Sequence, residues 1–424
     1  MSEDFNRTGI QEGNLLVPSS FENRRILLGI TGGIAAYKVC DAISTLAKAG
    51  AQVRGILTRG AQEFITPLTV STLSRHPAYT DANFWQPVHG RPLHIELGEW
   101  AEVLVIAPLT ANTLAKLATG MADNLLTNTV LASTCPILLA PAMNTEMWNQ
   151  WVTQRNWEQV VQGSRFHGIE PGSGLLACDR VGTGRMAEPE RILAHLESVL
   201  HTQGKQDLAG KRVLIGAGST REHFDPVRFI GNPATGKMGI ALARCALHRG
   251  AEVTFVGGAM SPGFQELIPG ARIVAVTRAE EMQQGMLEFF PEADITVMAA
   301  AVADVRPVQF HSHKLPKQAL PESLPLESVP DIIAQLGECK QPHQRLIGFA
   351  AQTGEIVTPA IEKLRRKKLD AIVANPIDRP NAGFGSDSNQ AVVIDATGRQ
   401  QAIAPCSKLK LAHQVFDFIQ SLSR

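Results

Sequence analysis

Short apolar runs recur along the chain. Several are followed by a glycine- or threonine-bearing turn and then by a stretch whose apolar residues return every three or four positions. The first run, Arg25-Ile-Leu-Leu-Gly-Ile30, leads through Thr31-Gly-Gly-Ile-Ala-Ala-Tyr-Lys38 into a helical pattern at 39–48, a stop at Gly50 and a second run, Gln52-Val-Arg-Gly-Ile-Leu57. Unbroken apolar runs of this length mark strands buried on both faces, and strand, glycine turn, helix, strand is a βαβ unit. Residues 103–107 and 137–140 predict further strands, 111–118 a helix and 189–200 a closing helix. After a polar, glycine-bearing stretch at 201–210 the pattern restarts, with strands at 211–215, 252–256, 272–276, 294–298, 346–350, 371–374 and 391–394 and a helix at 238–249. The chain is therefore expected to hold two α/β domains, 25–200 and 211–424, joined by a linker at 201–210 and preceded by a disordered leader at 1–24. The halves repeat an architecture without repeating a sequence.

Composition narrows the class. Forty basic and forty acidic side chains give a formal net charge of zero, which removes the long-range field that gathers nucleic acid. The six cysteines, at 40, 135, 178, 245, 339 and 406, form no CxxC pair and no His/Cys ligand spacing, so neither a disulfide framework nor a protein-held metal is expected. A cytoplasmic setting fits them. The leader has no apolar core of signal-peptide type, and no apolar run is long enough to span a bilayer, so no membrane partner is expected.

Open α/β sheets bind ligands off the carboxyl ends of their strands, and the chemistry-bearing residues fall there. Gly32 and Gly33 sit between a strand and a helix, where backbone N–H groups can approach an anion, although the spacing is not GxGxxG. Thr58, Thr110 and Asn112 end other strands, as phosphate contacts or as helix caps. His94 opens an amphipathic turn. Pro141-Ala-Met-Asn144 brings an amide to the end of a buried run, and Cys178 hangs in a glycine-rich segment flanked by Asp179, Arg180 and Arg185. An amide that can hold a carboxylate and an accessible thiol suit redox or proton chemistry on a small acid.

The second half carries different groups. Gly231-Asn-Pro-Ala-Thr-Gly-Lys-Met238 nearly spells a phosphate loop, but Met238 stands where a magnesium-ligating hydroxyl belongs. That excludes an ATPase loop and keeps a helix N-terminus facing an anion. Asp304 ends a buried run, and Lys314-Leu-Pro-Lys317 follows in a proline-broken loop. Lys363 and Lys367 lie four apart on one helix face, beside Arg365, Arg366 and Lys368, a run that by itself reads as a solvated face.

Taken together, the runs Gly32-Gly-Ile-Ala-Ala-Tyr-Lys38, His94-Ile-Glu-Leu97, Ala107-Pro-Leu-Thr-Ala-Asn112, Gly120-Met-Ala-Asp-Asn-Leu125, Pro141-Ala-Met-Asn-Thr-Glu-Met147 and the segment around Cys178 make residues 26–200 resemble the flavin-containing cysteine decarboxylases, above all phosphopantothenoylcysteine decarboxylase. The resemblance implies FMN held near Gly32, Gly33, Thr58, Thr110 and Asn112. It assigns Asn144 to the departing carboxylate, His94 to the oxidative decarboxylation and Cys178 to the final proton. Residues 208–422 resemble phosphopantothenate–cysteine ligase of the CTP-using kind. The runs are Ala217-Gly-Ser-Thr-Arg-Glu222, Asp225-Pro-Val-Arg228, Asn232 with Gly236-Lys-Met-Gly239, Ala299-Ala-Ala-Val-Ala-Asp304, Pro330-Asp-Ile-Ile-Ala334 and Gly348-Phe-Ala-Ala351. Here the implied roles are acyl-cytidylate formation for Lys314 and holding of the intermediate for Asn232. CTP, with magnesium on its phosphates, falls to Asp304, Lys314, Pro330, Asp331, Ile332, Ile333, Phe349, Lys363 and Lys367. Ala234 and Thr235 stand where the family usually has two serines, and Pro316 where it usually has a lysine.

The implied fold is two Rossmann-like three-layer α/β domains, the first flavodoxin-like, in a homo-oligomer with trimeric flavin domains and dimeric ligase domains. Both halves would serve coenzyme A biosynthesis, the second making phosphopantothenoylcysteine and the first decarboxylating it. A flavin-binding regulatory protein, a flavin prenyltransferase or a decarboxylase of peptide C-terminal cysteines would share the first fold, yet each leaves the second half idle.

Overall fold

The computed structural model describes residues 20–86, 90–175, 181–261, 263–378 and 385–422. The apolar runs form strands. The first half contains β1 (Arg25–Ile30), β2 (Gln52–Leu57), β3 (Ala78–Thr80), β4 (Val103–Leu109), β5 (Ile137–Pro141), β6 (Phe166–Gly168) and a hairpin of β7 (Gly172–Leu175) and β8 (Val181–Arg185). The second contains β9 (Arg212–Ala217), a short hairpin of β10 (Arg221–His223) and β11 (Phe229–Gly231), then β12 (Glu252–Gly257), β13 (Arg272–Ala275) and β14 (Ile295–Met298). A further hairpin, β15 (Val305–Pro307) with β16 (Leu326–Ser328), precedes β17 (Arg345–Gln352), β18 (Ala371–Pro376), β19 (Ser388–Asp395) and β20 (Gln400–Ser407).

The first sheet runs β3-β2-β1-β4-β5-β6, parallel throughout. The second runs β13-β12-β9-β14-β17-β18-β19-β20 and turns antiparallel only at β19 and β20. Each is the doubly wound order, with a crevice where the winding reverses, between β1 and β4 and between β9 and β14.

Burial on both faces explains why these strands read as continuous apolar runs. In β4, Val103, Val105 and Ala107 belong to one core cluster and Leu104, Ile106 and Leu109 to another on the opposite face. Each such Leu or Ile contributes roughly 1.5–3 kcal/mol by leaving water, so one charge placed mid-strand would offset several contacts. Helices supply the outer layers. In Ala36–Lys48 the buried positions are Ala36, Val39, Ala42, Ile43 and Leu46, one face of a 3.6-residue period. In the second half the helix Lys237–His248 rides directly on β9, because a Cβ at Gly239 would overlap that of Ala217.

The segment expected as a linker is tied down. The helix Pro189–Thr202 runs on past its expected end at 200, and Leu208 is buried. Arg249, only 1% exposed, pairs with Asp207 at 2.6 Å and with Asp417 at 2.8 Å. Ser198 of the same helix reaches His248 Nδ1 at 2.7 Å and His413 Nε2 at 2.9 Å, and Ser407 donates to Glu197 at 2.8 Å. The last helix of the first sheet is thus docked on two helices of the second. Of the leader, residues 1–19 lie outside the described residues, whereas 20–24, expected to be disordered with them, form a turn in which Ser20 donates to Glu197 at 2.7 Å and Arg24 pairs with Glu102 at 3.1 Å.

Candidate active sites

A cavity of about 1160 Å³ opens at the carboxyl ends of β1, β2, β4 and β5. Gly32, Gly33, Thr58, Thr110, Asn112 and Asn144, all expected to share a site, line it together. The loops after β1 and β2 touch: a Cβ on Gly32 would stand 2.8 Å from the Gly60 backbone, so only glycine leaves the rim open. The threonines also cap. Thr113 N–H donates to Thr110 Oγ1 at 3.4 Å, Ala61 N–H donates to Thr58 Oγ1 at 3.3 Å, and buried Thr31 ties β4 to β1 by donating to Pro108 O at 2.6 Å. Asn144 is the N-cap of the helix Thr145–Asn149, its Oδ1 accepting from Glu146 N–H at 2.8 Å. Capping and lining coincide, because a cap residue at a strand end necessarily faces the crevice.

Charge pairs frame this cavity. Lys38 lies 2.7 Å from Glu188, which also accepts from Arg185 at 3.2 Å. Lys116 holds Asp123 at 2.6 Å, and that hydrogen bond keeps the Asp123 carboxyl below its usual range despite some desolvation. The β7–β8 hairpin leans over the Asn144 loop, with Met143 N–H donating to Gly184 O at 3.0 Å. Cys178 lies outside the described residues. His94, on the helix Leu93–Trp100, does not line the cavity. Its Nδ1 is buried without a partner among the described residues, and its ring meets Phe84 edge-on at 5.4 Å.

A second cavity, about 630 Å³, opens beside β9, β14 and β17. It collects Asn232, Asp304, Pro330, Asp331, Ile332, Ile333, Phe349, Lys363 and Lys367, while Lys314 is not among its lining residues. Asn232 donates from Nδ2 to Val302 O at 3.1 Å and fixes the loop after β14. The basic run divides: Lys367 is buried with its Nζ 2.8 Å from Asp331, whereas Arg365, Arg366 and Lys368 are exposed. Lys363 donates to Phe349 O at 3.2 Å, and burial, then repulsion from Lys367, pushes its ammonium below the usual lysine range. An ammonium so placed gains from an arriving anion.

Lys314 stands next to a pinned residue. Fully buried Asp225 accepts from Val227 N–H and Arg228 N–H at 2.8 Å each, and pairs with the Arg228 guanidinium at 2.7 Å. Arg228 in turn donates to Leu315 O at 3.2 Å. These bonds hold the Asp225 carboxyl below its usual range although desolvation, the largest single influence, opposes them. Other lining residues, Asp81 in the first cavity and Asn389 and Lys408 in the second, had no sequence signal, since Asp81 and Lys408 open helices and Asn389 stands near the start of β19, none of them within a motif.

Two family models match. One, described as Flavoprotein, covers residues 16–201, and the other, described as DNA/pantothenate metabolism flavoprotein C-terminal domain, covers 208–422. The coenzyme A biosynthesis bifunctional protein CoaBC of Bacillus subtilis (strain 168) is 41% identical over 406 residues, 95% of this chain and 98% of that protein. A cysteine/cysteine sulfinic acid decarboxylase from an unknown prokaryotic organism is 44% identical over 336 residues, covering 78% of this chain and 92% of that one. Among solved structures, the C-terminal domain of a CoaBC protein aligns at 34% identity over 51% of this chain and 97% of that chain, with a TM-score of 0.43.

Proposed function

The chain belongs to the CoaBC family of coenzyme A biosynthesis bifunctional proteins, and from that premise we propose how its two cavities divide the work. It is a bifunctional enzyme, a phosphopantothenoylcysteine decarboxylase in its flavoprotein half and a phosphopantothenate–cysteine ligase in the half that follows.

The first cavity is the decarboxylase site, and the flavin is FMN. The volume and the open Gly32–Gly60 rim suit an extended phosphorylated ligand, with the backbone of Gly32 and Gly33 and the side chains of Thr58, Thr110 and Asn112 around it. When bound, FMN supplies a two-electron acceptor and donor for the cysteine moiety of the substrate. Asn144 orients the carboxylate that departs as carbon dioxide. Cys178 delivers a proton to carbon when the resulting ene-thiol is reduced. His94 assists from a neighbouring subunit, in an assembly of trimeric flavin domains and dimeric ligase domains. The outward-facing Leu131 and Trp151, 58% and 69% exposed, support burial between flavin domains.

The second cavity is the ligase site. Magnesium enters on the triphosphate as part of the substrate. A carboxylate oxygen of phosphopantothenate attacks the α-phosphorus of CTP, and pyrophosphate leaves with the electron pair of the broken P–O bond. The cysteine amine then displaces CMP. Lys363, Lys367, Phe349, Asp304 and the turn at 330–333 hold the nucleotide, Asn232 holds the acyl-cytidylate and Lys314 offsets charge on the transferring phosphoryl group. A reducing cytoplasm is the setting, which the six scattered cysteines, with no CxxC pair, fit.

The observation that carries this reading is that Gly32, Gly33, Thr58, Thr110, Asn112 and Asn144 share one cavity, and Asn232, Asp304, Phe349, Lys363 and Lys367 with the turn at 330–333 share the other, each at a sheet's switch point. Incubating the purified protein with phosphopantothenate, cysteine, CTP and magnesium tests it. CMP and carbon dioxide should appear in equal amounts. Carbon dioxide from cysteine alone, without CTP, would favour instead the free-cysteine chemistry in the name of the second relative.

A further inference from the structure

One end of the ligase cavity has no role in the scheme above, and it is cationic. Lys237 and Lys408 line it with Thr235, Gly385 and Asn389. Lys237 opens the helix Lys237–His248, whose first amides have no intrahelical partner. Its Nζ donates to Asp387 at 2.6 Å and to Gly385 O at 3.0 Å. Lys408, half-buried at the start of the helix Lys408–Gln420, donates its ammonium to the Ser386 and Ser388 carbonyls. Among the described residues no carboxylate pairs with it. Two ammonium groups therefore share one carboxylate, Asp387, which is 91% exposed. Burial, then repulsion from Lys237, makes the charge on Lys408 costly to hold. Asp387 and the two carbonyls offset this only in part, and an arriving anion would stabilise both ammonium groups.

We propose that Lys408, together with Lys237 and the first-turn amides of its helix, holds a phosphate group of a substrate at this end of the cavity, and that Asp387 competes with that phosphate for Lys237. The phosphate is either the polyphosphate tail of the nucleotide or the phosphate ester of the acid. In the first case the two lysines stabilise the pyrophosphate as it takes the electron pair of the breaking bond. The assignment rests on the ligase reading of this cavity.

The test uses the intact, flavin-loaded chain and inorganic pyrophosphate and inorganic phosphate as probes. Binding is followed by calorimetry, and steady-state constants are measured for both substrates. Lys408→Met should weaken pyrophosphate binding by about tenfold, and Lys408→Arg should recover most of it, as loss and return of one close charge pair in a partly desolvated site. Asp387→Asn should act in the opposite sense and tighten binding, which a merely structural role for this corner would not do. A rise in KM for CTP in Lys408→Met identifies the nucleotide tail, and a rise in KM for phosphopantothenate identifies the acid's phosphate. If Lys408→Met leaves the affinity for pyrophosphate and both KM values within about twofold, or if Asp387→Asn weakens binding, the assignment is overturned. Should Lys408→Met fail to fold, the sign of the effect of Asp387→Asn, an exposed substitution, decides alone. Failure of the parent protein to release pyrophosphate at all would sink the ligase reading instead.

Discussion

His195 and His248 stack face to face across the joint between the two sheets, ring centroids 4.0 Å apart and planes within 13° of parallel. Beside them His413, fully buried, meets His201 at 4.5 Å, and Ser198 bridges His248 and His413. The His195 and His248 rings, stacked this closely, favour the neutral form. Burial, then His167 and Arg191, pushes His195 down to about 3. His413 is held at about 3 by burial, then by His201 and Arg249, against a weaker opposing pull from Asp417.

Acid should therefore open the joint. The folded values lie below the unfolded histidine value of about 6.5, so stability is complete above that pH and is lost as pH falls towards the folded values. His413 alone contributes a slope of about 1.4 kcal/mol per pH unit in that window, and the partly exposed His195 and His248 add less. Thermal denaturation followed from pH 7 to pH 4 should steepen below about 6.5, and His413→Gln should flatten the curve. An unchanged slope in that variant would mean the ring titrates normally.

Arg249 clasps the segment between the halves. Replacing it with Met severs contacts to Asp207 and Asp417 and to the His413 carbonyl. Breaking a buried pair costs about 3–5 kcal/mol. The two carboxylates are 33% and 45% exposed, so water takes up part of that, and about 2 kcal/mol is expected. The melting temperature should fall, and proteolysis should appear near residues 203–207.

Gly32→Ala places a methyl group 2.8 Å from the Gly60 backbone, where neither loop has a side chain to move aside. Flavin affinity should drop by about tenfold or more, read as loss of the yellow absorbance on dialysis, while CMP formation continues.

Cys178→Ser should still release carbon dioxide but stop at the unsaturated thiol, because a hydroxyl is a far weaker acid than a thiol. Mass spectrometry of the product distinguishes the two. Saturated product at the parent rate would remove Cys178 from the proton step.

The strands were legible where both faces are buried, as in β4, because nothing interrupts the apolar run. β20 escaped notice because most of its positions are exposed, and β3 and β6, three residues each, give no period to read. The helix Lys408–Gln420 was legible from its apolar stripe, Leu411, Ala412, Val415, Phe416 and Ile419, although no expectation named it. His413 in its middle is fully buried, satisfied by Ser198 and near Cys245, which no pattern announces. In the basic run 363–368 the sequence offered a solvated face, whereas the fold turns Lys367 inward to Asp331 and leaves Arg365 outside. The motif residues were legible because strand ends must carry them, but Lys408 reaches the ligase cavity from the far end of the chain, a contact only the eight-stranded sheet creates.

One chain runs two reactions in two separate cavities, and paired variants test this most directly. Lys314→Gln should abolish CMP and pyrophosphate formation while the protein still decarboxylates phosphopantothenoylcysteine supplied from outside. Asn144→Ala should lose that carbon dioxide while CMP forms at the parent rate. If either substitution abolishes both activities in a folded, flavin-bearing protein, the two cavities do not work separately and the account is contradicted.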